Sequence, residues 1–159
     1  MSRDVQLLRE LIALPSVNPA FVPKGDLRAG ESAVGYHLAA LALKAGLDVE
    51  RQSVEPGRDN LIVRLSPSSA ARHRVVLAPH LDTVGVEGSA SFHPKKKGRR
   101  LHGRGACDTK GSVAAMFQAL TNLARRKQRP RETEIVFAGL VDEECNQTGS
   151  RAFASLRLK

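Results

Sequence analysis

Arg74-Val75-Val76-Leu77-Ala78-Pro79-His80-Leu81-Asp82 is the stretch on which the fold turns. Its first half is a short apolar run of the kind a buried strand carries. Its second half places a histidine and a carboxylate directly after that strand. A second run of the same form lies downstream, Thr133-Glu134-Ile135-Val136-Phe137-Ala138-Gly139-Leu140-Val141, followed at once by Asp142-Glu143-Glu144. Long crossovers separate the apolar strands, so the class is α/β, with a mixed, largely parallel sheet flanked by helices. In open parallel sheets ligands gather beyond the carboxyl ends of the strands. Two polar loops in that position mark a site.

Working outward, Val5, Leu8, Leu11 and Ile12 recur at helical spacing behind Ser2, a residue able to cap the helix. Leu14-Pro15-Ser16-Val17-Asn18-Pro19 ends it, because each proline disfavours helix in the residue before it. A second helix is predicted over residues 31–45, with Gly46 as its stop. Residues 47–54 and 61–65 read as strands separated by Pro56-Gly57-Arg58-Asp59. Residues 81–104 read as a long Gly-, Ser- and Lys/Arg-containing loop, residues 109–127 as a helix, and residues 150–158 as the start of another.

With 159 residues, 42% of them hydrophobic and 26% charged, the chain is expected to form one soluble globular unit. No apolar run approaches the roughly 18 residues of a membrane span. Arg3, Asp4, Arg9 and Glu10 interrupt the first segment, so no signal peptide is read and the default compartment is the cytoplasm. Cys107 and Cys145 lack a CxxC spacing and read as free thiols. The formal charge of +9 has local clusters at residues 95–100 and 125–131. Aromatic residues do not interleave with them as in a base-stacking surface, so no nucleic-acid partner and no membrane partner is expected.

Three loci carry chemistry. His80 and Asp82, two apart in extended chain, can point the same way, so Asp82 could orient the ring of a metal-ligating His80. A hydrogen-bonded turn with a satisfied histidine would use the same residues. In Gly103-Arg104-Gly105-Ala106-Cys107-Asp108-Thr109-Lys110-Gly111 the glycines permit close backbone approach. Asp108 either caps the following helix or places a carboxylate at the centre of a site. The third glycine of a dinucleotide fingerprint is missing, and Lys110 is followed by Gly111 rather than Ser or Thr, so this is no phosphate-cradling loop. In Asp142-Glu143-Glu144 three adjacent carboxylates repel one another. Water relieves that repulsion on a surface; cations relieve it in a metal site.

Together with Leu14-Pro15-Ser16-Val17-Asn18-Pro19 and His80-Leu81-Asp82-Thr83-Val84, these loci resemble, in order and spacing, the co-catalytic zinc hydrolase family of acetylornithine deacetylase, succinyl-diaminopimelate desuccinylase, aminoacylase and carboxypeptidase G. The resemblance covers nearly the whole chain. It implies a three-layer zinc-peptidase-like catalytic domain, here in part, and two divalent metal ions, by default zinc, with cobalt and manganese also compatible. His80 would ligate one metal, Glu144 the other, and Asp108 would bridge both. Asp82 would orient His80, and Glu143 would be the general base and acid for water attacking an amide. The Asp108–Thr109 peptide would be cis.

Family members carry two further metal ligands, one acidic and one histidine, and a smaller lid and dimerisation domain, none of which is matched here. The 159 residues are therefore expected to be the amino-terminal portion of the catalytic domain, with weak metal binding alone, from a parent that forms a homodimer. The substrate class is an N-acyl amino acid or small peptide. A carboxypeptidase or dipeptidase is the second choice, and a non-catalytic fragment or basic binding module the alternative of another class. Cys107 and Cys145, each beside a proposed ligand, are expected to be small buried turn residues. His102 stands where the family commonly has an aromatic.

Overall fold

A computed structural model describes residues 2–86, 88–126 and 129–156. The order of elements is α1 (Arg3–Ala13), α2 (Ser32–Lys44), β1 (Asp48–Glu55), β2 (Arg58–Leu65), β3 (His73–Leu77), β4 (Lys95–Lys97), β5 (Arg100–His102), α3 (Lys110–Ala124), β6 (Thr133–Gly139) and α4 (Thr148–Ser155). Short 3-10 turns occupy Pro19–Phe21 and Ala90–Phe92. Ser2 stands at the N-cap of α1, but its side chain makes no cap bond. Gly46, beyond α2, takes the positive φ of +72° expected of a stop.

The four main strands run in the order β1-β2-β6-β3. β1 and β2 are antiparallel because only Pro56-Gly57 connects them, and a two-residue link can join strands only as a hairpin. β2 is antiparallel to β6, and β3 is parallel to β6 across the long crossover that contains α3. The sheet is thus mixed, as expected, but among the described strands its parallel part is the β3–β6 pair, not most of the sheet. The tight hairpin accounts for β1–β2, and β2 and β6 also run in opposite directions.

Leu61, Val63 and Leu65 of β2 and Phe137 of β6 point to one face, where they form a core with Leu7 and Leu11 of α1, Leu38 of α2, and Val113, Phe117 and Leu120 of α3. Phe117 meets Phe137 edge-on, ring centroids 5.4 Å apart. Asn60 and Ile62 point to the opposite face, where Asn60 donates to the carbonyl of Gly149 in α4. Helices therefore lie on both sides of the sheet, giving three layers.

β3, expected to be a buried strand, is exposed along most of its length. It pairs with β6 on one side, and no described strand pairs with the other, so Val75 and Val76 remain 46% and 40% exposed. The segment read as a continuous loop contains a small antiparallel hairpin, β4–β5. Three lysines and two arginines around Gly98 hid the strand pattern. The helix expected to reach Leu158 is described to Ser155, and Lys127 and Leu158 lie outside the described residues. Among the described residues no helix is long and apolar enough to cross a membrane.

Candidate metal centre

Because β3 and β6 are parallel neighbours, the chains leaving their carboxyl ends emerge side by side. The pairing continues past the strands: Leu140 N–H donates to the Pro79 carbonyl at 2.9 Å, and Leu81 N–H to the Leu140 carbonyl at 2.8 Å. That register places His80-Leu81-Asp82 against Asp142-Glu143-Glu144. Residues 16–18 run alongside: Thr83 N–H donates to the Ser16 carbonyl and Asn18 N–H to the Thr83 carbonyl, each at 2.9 Å.

Asp108 arrives from the loop before α3. Gly105 makes that loop possible, with φ +75° and a Cβ position 2.9 Å from Thr83 Cγ2. The Asp108–Thr109 peptide is cis, as the resemblance implied. Lys110, 1% exposed, donates from Nζ to the carbonyls of Leu11 (2.8 Å) and Leu14 (2.6 Å) at the end of α1. Those carbonyls lie at a helix C-terminus, where acceptors are left over and a cation is favoured. Burial alone pushes the Lys110 ammonium down to about 7.

All five residues singled out from the sequence meet here. Ligand atoms of His80, Asp108 and Glu144 lie within 4.8 Å of one another. His80 Nε2 is 3.1 Å from Asp108 Oδ1 and 3.7 Å from Glu143 Oε2. His80 Nδ1 is 3.1 Å from the Asp82 carbonyl and 3.4 Å from Asp82 Oδ1. Burial pushes the imidazolium down, but bonding to Asp82 and Asp108 and the charge of Glu143 outweigh it and hold His80 at about 9. Burial, then the Asp108 charge, raises Glu144. Asp82 is lowered despite its burial, because His80, Asn18 and the amides of Glu143 and Glu144 all bond to it.

The acid-rich loop is held from below by residues whose part was not foreseen. Asp82 Oδ1 accepts from Glu143 N–H (3.1 Å) and Oδ2 from Glu144 N–H (3.0 Å). Asn18 Nδ2 donates to Asp82 Oδ2 (2.8 Å) and to Asp142 Oδ1 (2.9 Å). Asp142 is fully buried with φ 62°, and also accepts from Arg58 (3.3 Å) and from the Thr148 hydroxyl (2.8 Å). These bonds and the Arg58 charge, against its burial, hold its carboxyl at about 2. Arg58 in turn grips buried Glu31 through two nitrogens, at 3.0 and 2.5 Å. Asn18 belongs to a motif already marked, but its amide could not be placed without the 16–18 pairing.

Cys107 and Cys145, expected to be buried, are exposed. Each lies in a turn next to a site carboxylate, outside the packing beneath. An open cavity of about 420 Å³ adjoins the cluster, lined among others by Pro79, His80, Asp108, Ser112, Glu143 and Ser150. A cleft of mixed polar and apolar lining with convergent titratable groups has the character of a small-molecule site.

The family model for peptidase family M20/M25/M40 matches residues 76–159. A probable carboxypeptidase of Emericella nidulans is 33% identical over 94% of this chain and 33% of its own length. An acetylornithine deacetylase of Vibrio campbellii is 34% identical over 78% of this chain and 32% of its own. Among solved structures, human carnosine dipeptidase 1 superposes with a TM-score of 0.75 at 20% identity, over 95% of this chain and 34% of that one. The chain thus spans about a third of the length of the relatives it matches. On sequence and fold together, the chain belongs to peptidase family M20/M25/M40.

Proposed function

We propose that this chain is the amino-terminal, metal-binding portion of the catalytic domain of a two-metal hydrolase that cleaves the amide bond of an N-acyl amino acid or small peptide. The observation that carries the reading is the convergence of His80, Asp108 and Glu144 beside Glu143. One imidazole and two carboxylates suit zinc, and also manganese or cobalt. The cluster behaves as a site for positive charge: His80 keeps a proton to about 9 and Glu144 is raised. His80 would hold one cation, Glu144 a second, and Asp108 both. The cations would supply Lewis acidity to the substrate carbonyl and acidify water.

The protein's own groups do the rest. Glu143 takes a proton from the attacking water as the C–O bond forms, and delivers it to the amine nitrogen as the C–N bond breaks. Asp82 fixes the His80 ring through Nδ1 and the loop through the amides of Glu143 and Glu144. Three protein ligands are what one catalytic zinc typically takes, so two metals need residues from the rest of the protein, along with the remaining strands and a lid and dimerisation domain. An acyl-amino-acid deacylase is the first choice; the similarity to a carboxypeptidase and a dipeptidase supports the second, a peptidase.

The test uses the full-length protein. Glu143→Gln should retain its metal by elemental analysis yet lose about 10²–10⁴-fold in turnover of N-acyl amino acids and dipeptides. Asp108→Ala should lose metal and activity together. Near-normal turnover by Glu143→Gln with normal metal content would overturn the assignment of the base.

A further inference from the structure

α2 is apolar on two opposite faces. Val34, Leu38 and Ala42, four residues apart, are buried in the core with β2. On the other side Ala33, Tyr36, Ala40 and Leu43 are exposed, Tyr36 at 58% and Leu43 at 63%. With 3.6 residues per turn, the two stripes lie about 180° apart around the helix. Residues 32–43 contain no Asp, Glu, Lys or Arg, in a chain of which 26% is charged. A surface helix carries its charged residues on the outer face, and a helix that is apolar all round is a buried one.

The outer residues are spaced three, four and three apart, the spacing at which one helix packs along another. Their sizes alternate small, large, small, large. Residue 38 is midway between 36 and 40 and also midway between 33 and 43. A second α2 laid antiparallel, with a two-fold axis at the level of residue 38, sets Ala33 against Leu43 and Tyr36 against Ala40. These layers fall about 7.5 and about 3 Å along the helix from the axis. Each layer then holds one large and one small side chain, which fills a seam without voids. Parallel pairing would set Ala against Ala and Leu against Leu. The Tyr36 ring is already held: Arg51 of β1 lies over it, 4.2 Å from the centroid, and is anchored by Asp59 at 2.7 Å. Less therefore needs ordering on association.

We propose that the outer face of α2 is an interface for a second copy of this chain, paired antiparallel across a two-fold axis. A two-fold contact requires a surface that complements itself, and the alternation of sizes about residue 38 supplies it. The stripe has no charge to desolvate. An aromatic side chain buries roughly 150–250 Å² when covered, so Tyr36, Leu43 and the two alanines together present roughly 300 Å² per copy. Two copies remove roughly 600 Å² from water, below the roughly 1,200 Å² of stable complexes. The dimer is therefore weak, with a Kd of about 100 µM, and closed. It is independent of the lid and dimerisation domain expected of the parent.

The experiment is sedimentation velocity of the 159-residue chain from about 10 µM to about 1 mM, repeated with Val76→Lys, which blocks the open edge of β3. A monomer–dimer equilibrium is expected to persist in Val76→Lys. Ala40→Glu, an exposed site given a good helix former, should keep its unfolding midpoint and weaken the dimer at least tenfold. Ala33→Glu and Leu43→Lys should each weaken it. The double variant should recover at least threefold over the weaker single, because opposite charges then face each other across the antiparallel seam. Ala40→Glu should leave the melting temperature of the full-length protein unchanged. A drop there would show that another segment of the same protein covers α2, and would overturn the proposal. So would the absence of any dimer at about 1 mM, a dimer lost in Val76→Lys but kept in Ala40→Glu, or a double variant no tighter than its singles.

Discussion

Asn18 donates its side-chain amide to Asp142, 124 residues away in sequence, at 2.9 Å, and the same nitrogen reaches Asp82 at 2.8 Å. A neutral group thus bridges two buried carboxylates, one behind His80 and one at the root of Glu143. Asn18→Ala removes a donor from each. With about 1.5–3 kcal/mol for a hydrogen bond to a charged group, a loss of about 3 kcal/mol in urea unfolding is expected. Asn18→Asp should be worse at neutral pH, since it adds a third buried negative charge. An Asn18→Asp chain as stable as the parent would refute this account of the bridge.

Arg58 and Glu31 form the base of the same network. Arg58→Met leaves Glu31 and Asp142 buried without their cation, and about 3–5 kcal/mol of destabilisation is expected. Arg58→Lys should recover little, because an ammonium cannot reproduce the two-nitrogen grip. Glu31→Gln/Arg58→Met should be less destabilised than the sum of its single variants, and additivity in denaturant melts would show the pair is not coupled.

The sequence was legible where chemistry and pattern coincide. Two apolar runs ending in polar loops located His80, Asp82, Glu143 and Glu144, and a glycine-rich turn located Asp108. What local pattern could not convey was pairing across the chain. The hairpin at Pro56-Gly57 made β1 and β2 antiparallel and β2 runs against β6, and only tertiary register shows that Arg58, read as a turn residue, points at Glu31. Nothing in the Gly103–Gly111 run marks Lys110 as buried; its burial against α1 follows from how α1 and α3 pack.

β3 carries a liability that the apolar run alone suggested was covered. Its open edge presents Val75 and Val76, and exposed edge strands associate. Light scattering should show concentration-dependent association of the 159-residue chain. Val76→Lys should reduce it, and an unsubstituted 159-residue chain that stays monomeric at high concentration would count against β3 as a sticky edge.

Gly149, at the start of α4, has no room for a methyl group. A Cβ there would lie 2.3 Å from the Val141 carbonyl oxygen and 2.7 Å from Asn60 Oδ1, the acceptor that holds Val141 N–H. Gly149→Ala must therefore push α4 off the sheet or break the Asn60 bonds. A destabilisation at the top of the about 1–3 kcal/mol range for overpacking, or beyond it, is expected. An unchanged melting curve would mean that α4 is not docked as described.

His80 links the site to pH. In the metal-free chain its imidazolium is held at about 9, above the ordinary 6.5, because Asp82, Asp108 and Glu143 outweigh its burial. The folded state therefore binds the proton more tightly than the unfolded state. The stability this confers is fully present below about 6.5 and is lost as pH rises through about 9. Imidazole NMR signals of His80 should titrate near 9, and Asp108→Asn should move that midpoint down by replacing a carboxylate with a neutral amide. Zinc must displace the same proton, so affinity should climb with pH up to about 9 and level off above it, as far as His80 contributes. A His80 midpoint at or below 6.5 in the metal-free chain would mean that the carboxylates do not converge on the ring, and the cluster would lose its case as a site for cations.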